Sequence, residues 1–190
     1  AKQLGFRIKL VGTAEPGRMP RMQTCLLPMS TQLAKVDGVL NAVEFDADPV
    51  GSVVLTGPGA GSGATSSAVL SDLVDVACDR IPFTFGRPVA TLADGSAVEN
   101  GGGPDTPFYV RLMVVDKPGV LADITSVLQI HDISVESMLQ QGRAPQDTVA
   151  LVLATHEVGV ERLMTALSEI EYLSCVMAAP VAMPILVPGQ

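Results

Sequence analysis

Four glycines, at 57, 59, 61 and 63 in Thr56-Gly-Pro-Gly-Ala-Gly-Ser-Gly-Ala-Thr65, are the residues of this chain best suited to hold a ligand. Lacking a Cβ, they let backbone N–H groups come close to a bound molecule. They follow the apolar run Ser52-Val-Val-Leu55 and lead into a pattern in which Val69, Leu70, Leu73, Val76 and Ala77 share one helical face. Ser62, Thr65 and Ser66 are candidate caps for that helix. A strand that runs through glycines into a helix start aims free amides and the helix dipole at an anionic or strongly polar ligand. The same glycines also fit a plain surface turn, and the residues alone leave both readings open. No Lys follows them, so the turn is not a Walker loop. The spacing and the lack of an acidic residue at the usual downstream distance set it apart from the common dinucleotide fingerprint.

A second turn, Asp116-Lys-Pro-Gly-Val-Leu121, also joins a strand to a helix. Pro118 fixes the bend and Gly119 frees the backbone at the helix entry. Amides near 119–121 suit a carboxylate, and Asp116 suits an ammonium group. Together they would grip a free amino acid by both charged ends. On physical grounds alone a simple strand-to-helix connection is slightly favoured.

Other candidates are weaker. Lys9 lies on a predicted strand between Ile8 and Leu10, where a lysine is more often solvated than functional. His131 and His156 have no carboxylate, Ser or Cys at a persuasive spacing and read as surface caps near helix ends. Asp72 and Asp75 fall on a polar helix face. The eight Met residues read as core and interface filler. Neither a metal cluster nor a nucleophile–base pair emerges from the spacing, so no catalytic residue is assigned.

These turns need elements to hold them. Residues 5–14 read as a strand that enters a turn at Glu15-Pro-Gly17. Strands are also predicted over 22–29, 40–45 and 52–56, with a short helix over 31–36 and a longer one ending near Asp79. This is an α+β arrangement. Between 80 and 107, Pro82, Pro88, Pro104 and Pro107 mix with Gly86, Gly95 and Gly101-Gly-Gly103, as in a linker with an extended piece at 89–92 and its greatest flexibility over 94–105. Residues 108–184 then follow a βαββαβ order. Phe108, Val110, Leu112 and Val114 share a strand face. Val120, Leu121, Ile124, Val127 and Leu128 form a helical stripe. Ile133, Val135 and Leu139 alternate along the next strand, and Gly142-Arg-Ala-Pro145 turns into the apolar run 148–155. Val160, Leu163, Leu167 and Ile170 mark a second helix, and 172–177 a last strand. Two helices cover one face of four strands, which is a ferredoxin-like layer.

Composition narrows the function classes. The net charge of -8 argues against nucleic acid and anionic membranes as default partners. No apolar run approaches the roughly 20 residues that span a bilayer, and Arg7 and Lys9 interrupt any signal-peptide pattern. Cys25, Cys78 and Cys175 read as reduced, mostly buried thiols of a cytoplasmic protein. With 47% hydrophobic residues but only 4% aromatic ones, the core must be aliphatic. The first residue is Ala rather than Met, which suggests a piece of something longer.

Two resemblances give these features a context. Asn41-Ala-Val-Glu-Phe45, Gly51, Gly57-Pro-Gly-Ala-Gly61 and Thr65–Leu73 resemble, in that order, the end of the catalytic region of homoserine dehydrogenases. Leu4–Leu10 resembles the strand before it, so the likeness covers roughly residues 1–80. It implies NADP or NAD contacts at Gly57, Gly59, Ala60, Gly61 and Thr65. It also implies a parent oxidoreductase that interconverts L-homoserine and L-aspartate 4-semialdehyde on the route to threonine and methionine. The family's nucleotide-binding unit and catalytic lysine lie upstream of the matched strand, and none of Lys2, Lys9 or Lys35 stands in that lysine's motif. The resemblance therefore implies a C-terminal portion that is inactive alone. Residues 108 to about 178 resemble the ACT domain, an amino-acid-sensing module, with 81–107 as linker. That likeness implies an effector site at Asp116, Gly119, Val120 and Leu121, joined by Ser134, Val135 and Glu136. It further implies threonine feedback and homo-oligomers formed through ACT domains. The segment Ala178–Pro184 departs from the family's last strand. The glycine-rich linker implies loose coupling within one protomer, and hence regulation through the assembly. The alternative is a non-catalytic amino-acid-binding module whose first 80 residues only dock a partner.

Overall fold

The computed structural model describes every residue except 17, 81–82, 84–85, 93–102, 141–146 and 188–190. The predicted turn at Gly17, the hairpin turn at 142–145 and most of the stretch 94–105 lie outside the described residues. The chain forms two antiparallel hairpins, a helix and a four-stranded layer, as the α+β reading requires.

Strands β1 (Phe6–Thr13) and β2 (Arg21–Pro28) pair antiparallel, with Lys9 opposite Cys25 and Ile8 opposite Leu26. The side chains sort unexpectedly. Ile8 and Leu10 are more than half exposed, while Arg7, Lys9 and Val11 turn toward the one-turn 3-10 helix Leu33–Lys35. That turn replaces the longer helix expected over 31–36. Cys25, Leu27 and Ala34 form a small buried cluster beneath it.

Strands β3 (Leu40–Ala47) and β4 (Gly51–Pro58) form the second hairpin, and helix α1 (Ser62–Ala77) follows the glycine turn. The helix has the predicted position but not the predicted burial. Val69, Leu70, Leu73 and Val76 are all more than half exposed, and none of its residues is buried. None of the expected caps acts either. The N-cap is Gly61, without a side-chain hydrogen bond. Downstream, 89–91 makes a 3-10 turn instead of an extended piece.

The best-packed part is the layer formed by β5 (Phe108–Val115), α2 (Val120–Ile130), β6 (Val135–Gln140), β7 (Thr148–Thr155), α3 (Val160–Glu171) and β8 (Val176–Pro184). The strand order is β6-β7-β5-β8, antiparallel throughout. Phe108, Val110, Leu112 and Val114 point to the helices and are buried with Ile124, Val127, Leu163, Leu167 and Ile170. Of the predicted helical stripes, Leu121 and Val160 stay outside this core. The last strand begins four residues later than predicted and runs through Ala178–Pro184. It pairs with β5 at the cost of two register shifts, between Arg111 and Met113 and between Met113 and Val114. Each shift places an extra residue on β8, a bulge of the kind that lets a strand absorb Pro180, which has no N–H to give the ladder. The methionines contribute little to the cores: six of the eight are exposed and two are half-buried, one of which, Met183, flanks a buried cluster.

The helices cover one face of this sheet, and the β1–β2 hairpin docks on the other. Leu26, Tyr109, Ala154 and Ile185 are buried together, flanked by Leu4, Phe6, Val152 and Met183. Burying a Leu or Ile this completely contributes about 1.5–3 kcal/mol. Beyond β8 the chain continues onto β2: Ile185 bridges Leu26 in parallel, and the Leu186 amide donates to the Leu26 carbonyl at 2.9 Å. The halves are therefore joined by packing as well as by the linker, which corrects the expectation of loose coupling within one protomer.

Candidate functional site

The glycine turn is held by β3. Leu40 pairs with Pro58 and Asn41 with Gly57, and the Gly59 amide donates to the Val39 carbonyl at 2.9 Å. The Asn41 carboxamide lies so close over Gly59 that a Cβ at 59 would fall 1.9 Å from Asn41 Nδ2. At Gly61 φ is 113° and ψ 154°, a region open essentially to glycine alone. The first intrahelical bond runs from the Thr65 amide to the Gly61 carbonyl, so the amides of 62–64 precede the helix ladder. Gly57, Gly59, Ala60, Gly61 and Thr65 thus sit together in a surface turn without a charged side chain, and the amides it leaves ahead of the helix ladder are those of 62–64 rather than those of Gly59 or Thr65.

The turn 116–121 is a more enclosed site. It borders a cavity of about 130 Å³ lined by Val114, Asp116, Gly119, Val120, Leu121 and Gln140, among others. At roughly 10–15 Å³ of such space per water, that is room for several water-sized groups. Gly119 caps α2 with φ 96° and ψ −25°, and the Asp123 amide closes the first helical turn onto its carbonyl at 3.0 Å. Asp116 sits half-buried at the end of β5, its Oδ1 accepting from Gln140 Nε2 at 3.3 Å. Carboxylate and helix-entry amides therefore face one small space.

Ser134, Val135 and Glu136 do not reach it. β6 runs parallel to β5, both being antiparallel to β7 between them. Val135 pairs with Thr155, level with the start of β5. Those three residues therefore lie at the far end of the sheet from Asp116, and the other end of β6 supplies Gln140 instead. Sequence reasoning missed Gln140. The signal was available: in a βαββαβ sheet the first two strands run parallel, so the end of the second, not its beginning, lies beside the end of the first.

A larger cleft, about 990 Å³, opens between the first hairpin, β3 and the chain beyond β8. Lys9 lines it, donating to Asp37 Oδ1 at 3.1 Å and to the Val36 carbonyl, and Arg7 Nη1 reaches Asp37 Oδ2 at 2.6 Å. The Arg7 and Lys9 hydrogen bonds hold the Asp37 carboxyl below its usual range. Behind them Cys25 is fully buried, and burial pushes its thiol up to about 11.

The histidines differ from each other. His156 is exposed between β7 and α3. His131, the C-cap of α2, is nearly buried, with Nε2 3.0 Å from Glu169 Oε1 but out of line for a hydrogen bond. Its carboxylate neighbour is brought by α3, and spacing in the sequence could not reveal it. Asp72 is exposed, whereas Asp75 meets Arg80 at 3.5 Å. Among the described residues no group of three His, Cys, Asp or Glu could hold a metal, and no helix is long and apolar enough to cross a membrane.

The sequence model of the homoserine dehydrogenase family matches residues 1–74, and that of the ACT domain matches 108–174. The chain belongs to the homoserine dehydrogenase family and carries an ACT domain. Homoserine dehydrogenase of Neisseria gonorrhoeae is 34% identical over 186 residues, covering 93% of this chain and 42% of the relative. That of Pseudomonas aeruginosa is 36% identical over 184 residues, covering 91% and 42%. The crystal structure of a homoserine dehydrogenase from Thiobacillus denitrificans superposes with a TM-score of 0.77 at 33% identity, over 98% of this chain and 44% of that one. The chain thus spans about two fifths of the length of the homoserine dehydrogenases it matches. Both turns fall inside the matched regions.

Proposed function

We propose that this chain is the C-terminal portion of an NAD(P)-dependent homoserine dehydrogenase: the end of its catalytic region over 1–80, a linker over 81–107, and an ACT regulatory domain over 108–184. The parent enzyme would interconvert L-homoserine and L-aspartate 4-semialdehyde in threonine and methionine biosynthesis, in the cytoplasm, where three unpaired cysteines are at home. Gly57, Gly59, Ala60, Gly61 and Thr65 would form one wall of the NADP or NAD site. The lack of bulk there, and the amides of 62–64 ahead of the helix ladder, fit an anionic cofactor edge. Bound there, the cofactor would supply hydride transfer, and this segment would only position it.

The observation that carries the regulatory half is the cavity at 116–121. Asp116 would take the ammonium group of threonine, and the amides of Val120 and Leu121 at the Gly119 entry its carboxylate. Gln140 sits where it could contact the bound amino acid. Oligomers formed through ACT domains would multiply such sites. Calorimetric titration of threonine into the 190-residue chain is expected to give saturable binding that Asp116→Asn weakens. No heat with any amino acid would overturn the effector assignment. For the catalytic half, the reading frame upstream of Ala1 is expected to encode a glycine-rich nucleotide-binding unit, and the isolated chain is expected to show no turnover of homoserine with NADP. Turnover by the chain alone would refute the division of labour proposed.

One observation favours the second reading, a non-catalytic amino-acid-binding module. The glycine turn borders neither cavity described above, whereas the 116–121 turn borders its own. A partner docked on the exposed face of α1 would then replace the catalytic role. NADP binding by the upstream-extended protein, lost on Gly61→Val, separates the two.

A further inference from the structure

One piece of backbone runs from beside the 116–121 turn to the wall of the larger cleft. The cleft lined by Lys9 and Asp37 takes part of its wall from Ile185, Leu186 and Val187. Those residues continue β8 directly, and β8 lies along β5, the strand that ends one residue before Asp116. At the effector end, the Val115 amide donates to the Cys175 carbonyl at 2.9 Å, and both β8 bulges fall between Val176 and Val181. At the other end, the Ile185 amide donates to the Pro107 carbonyl at 2.8 Å, and Thr106 Oγ1 donates to the Ile185 carbonyl at 3.1 Å. Ile185 is buried against Leu26, Tyr109 and Ala154, and the half-buried Leu186 packs on the cluster of Cys25, Leu27 and Ala34.

We propose that the segment Ile185–Val187 is a regulatory joint, through which occupancy of the 116–121 turn is felt at the cleft wall within a single protomer. The inference rests on the effector reading above and specifies how that site would act. The joint has the attributes a coupling element needs. It is contiguous: about ten residues of extended chain, roughly 30 Å at 3.3 Å each, link the two sites without crossing the linker. It has slack where the ligand would act, because a bulged strand changes its twist more readily than a regular ladder. Its far end can be seated or released, since a single parallel bridge and the Leu186–Leu26 hydrogen bond hold it on β2, whereas full ladders hold the strands. A ligand that binds better when the tail is seated must, by linkage, seat the tail.

Hydrogen exchange on the 190-residue chain, with and without saturating threonine, tests this. Threonine is expected to slow exchange of the Leu186 amide at least about 5-fold, the lower end of typical coupling. Ile185→Asp, which places a carboxylate in the apolar cluster, should abolish that effect and weaken threonine binding by the same factor. Ile185→Val should preserve both. Thr106→Val, which removes one hydrogen bond to the tail and leaves the cluster intact, should give an intermediate loss and guards against misfolding of the Asp variant. If threonine protects amides 116–121 but leaves Leu186 unchanged, the joint is refuted and the effector site stands. If amides 116–121 are not protected at all, the effector reading falls and the joint falls with it.

Discussion

Gly119 separates two physical demands on the effector turn. Its φ of 96° is a conformation that L residues rarely adopt, while a Cβ added there would meet no heavy atom within 4 Å. Alanine at 119 therefore meets no steric clash and carries the cost of the backbone conformation alone, about 1–2 kcal/mol. Part of this is offset by the lower entropy of the unfolded chain, about 0.4–1 kcal/mol. The net expectation for Gly119→Ala is a loss of about 1 kcal/mol, read as a lower urea midpoint with an unchanged slope. Threonine affinity should stay within about 3-fold, since a change of that size is under 1 kcal/mol. Gly119→Asp adds a negative charge next to the ligand's own carboxylate. At about 4 Å that repulsion is about 1 kcal/mol in water and about 4 kcal/mol at an effective dielectric of 20. Calorimetry should then show affinity reduced at least 5-fold beyond that of the alanine variant. Equal losses for Ala and Asp would mean that backbone shape, not charge, governs binding. Unchanged binding by the Asp variant would remove the ligand carboxylate from this turn.

Two further expectations concern stability. Thr155 is buried, and its Oγ1 accepts from the Phe108 amide at 2.9 Å. Thr155→Val should leave that N–H unsatisfied and lower unfolding free energy by about 1–3 kcal/mol, with Thr155→Ser much closer to wild type. The Cys25 thiol keeps its proton up to about 11 in the folded chain but only to about 9.0 when unfolded. Between those values the unfolded state binds fewer protons, so stability is intact below pH 9 and falls by about 2–3 kcal/mol as pH rises to 11. Urea melts across that window should show the fall in wild type and lose this component in Cys25→Ala. The same slope in both would assign the alkaline loss to other groups.

The second half of the chain was largely legible because its patterns are local and repeated. Val110, Leu112 and Val114 alternate at strand period, and Ile124, Val127 and Leu128 recur at helical period. Each pattern faces a core built within the same eighty residues. The first half was misread where burial depends on distant partners. Ile8 and Leu10 look like core residues, yet Lys9 and Arg7 face inward because Asp37 and the Val36 carbonyl are there to receive them. The stripe on α1 has a core-like pattern but no described element packs on it. At the sites, glycine positions could be read from the sequence because conformational freedom belongs to the residue itself. Gln140 could be placed only by adding the strand directions that the βαββαβ order implies, and Glu169 beside His131 only by the packing of one helix on another. The end of the chain misled for a similar reason: the last strand was expected over 172–177, whereas bulges let it run on past Pro180.

The hairpin on the outer face of the sheet has a practical consequence for anyone cutting this protein apart. Excising the sensor at Phe108 would strip Leu26 and Phe6 from Tyr109, Val152 and Ala154, leaving a wet aliphatic patch where the intact chain has an interior. Such a piece would be prone to clump with its own copies, and the clumping could pass for native assembly. Pieces that retain residues 1–30 avoid the artefact, so measured self-association should be compared between the two before any stoichiometry is assigned.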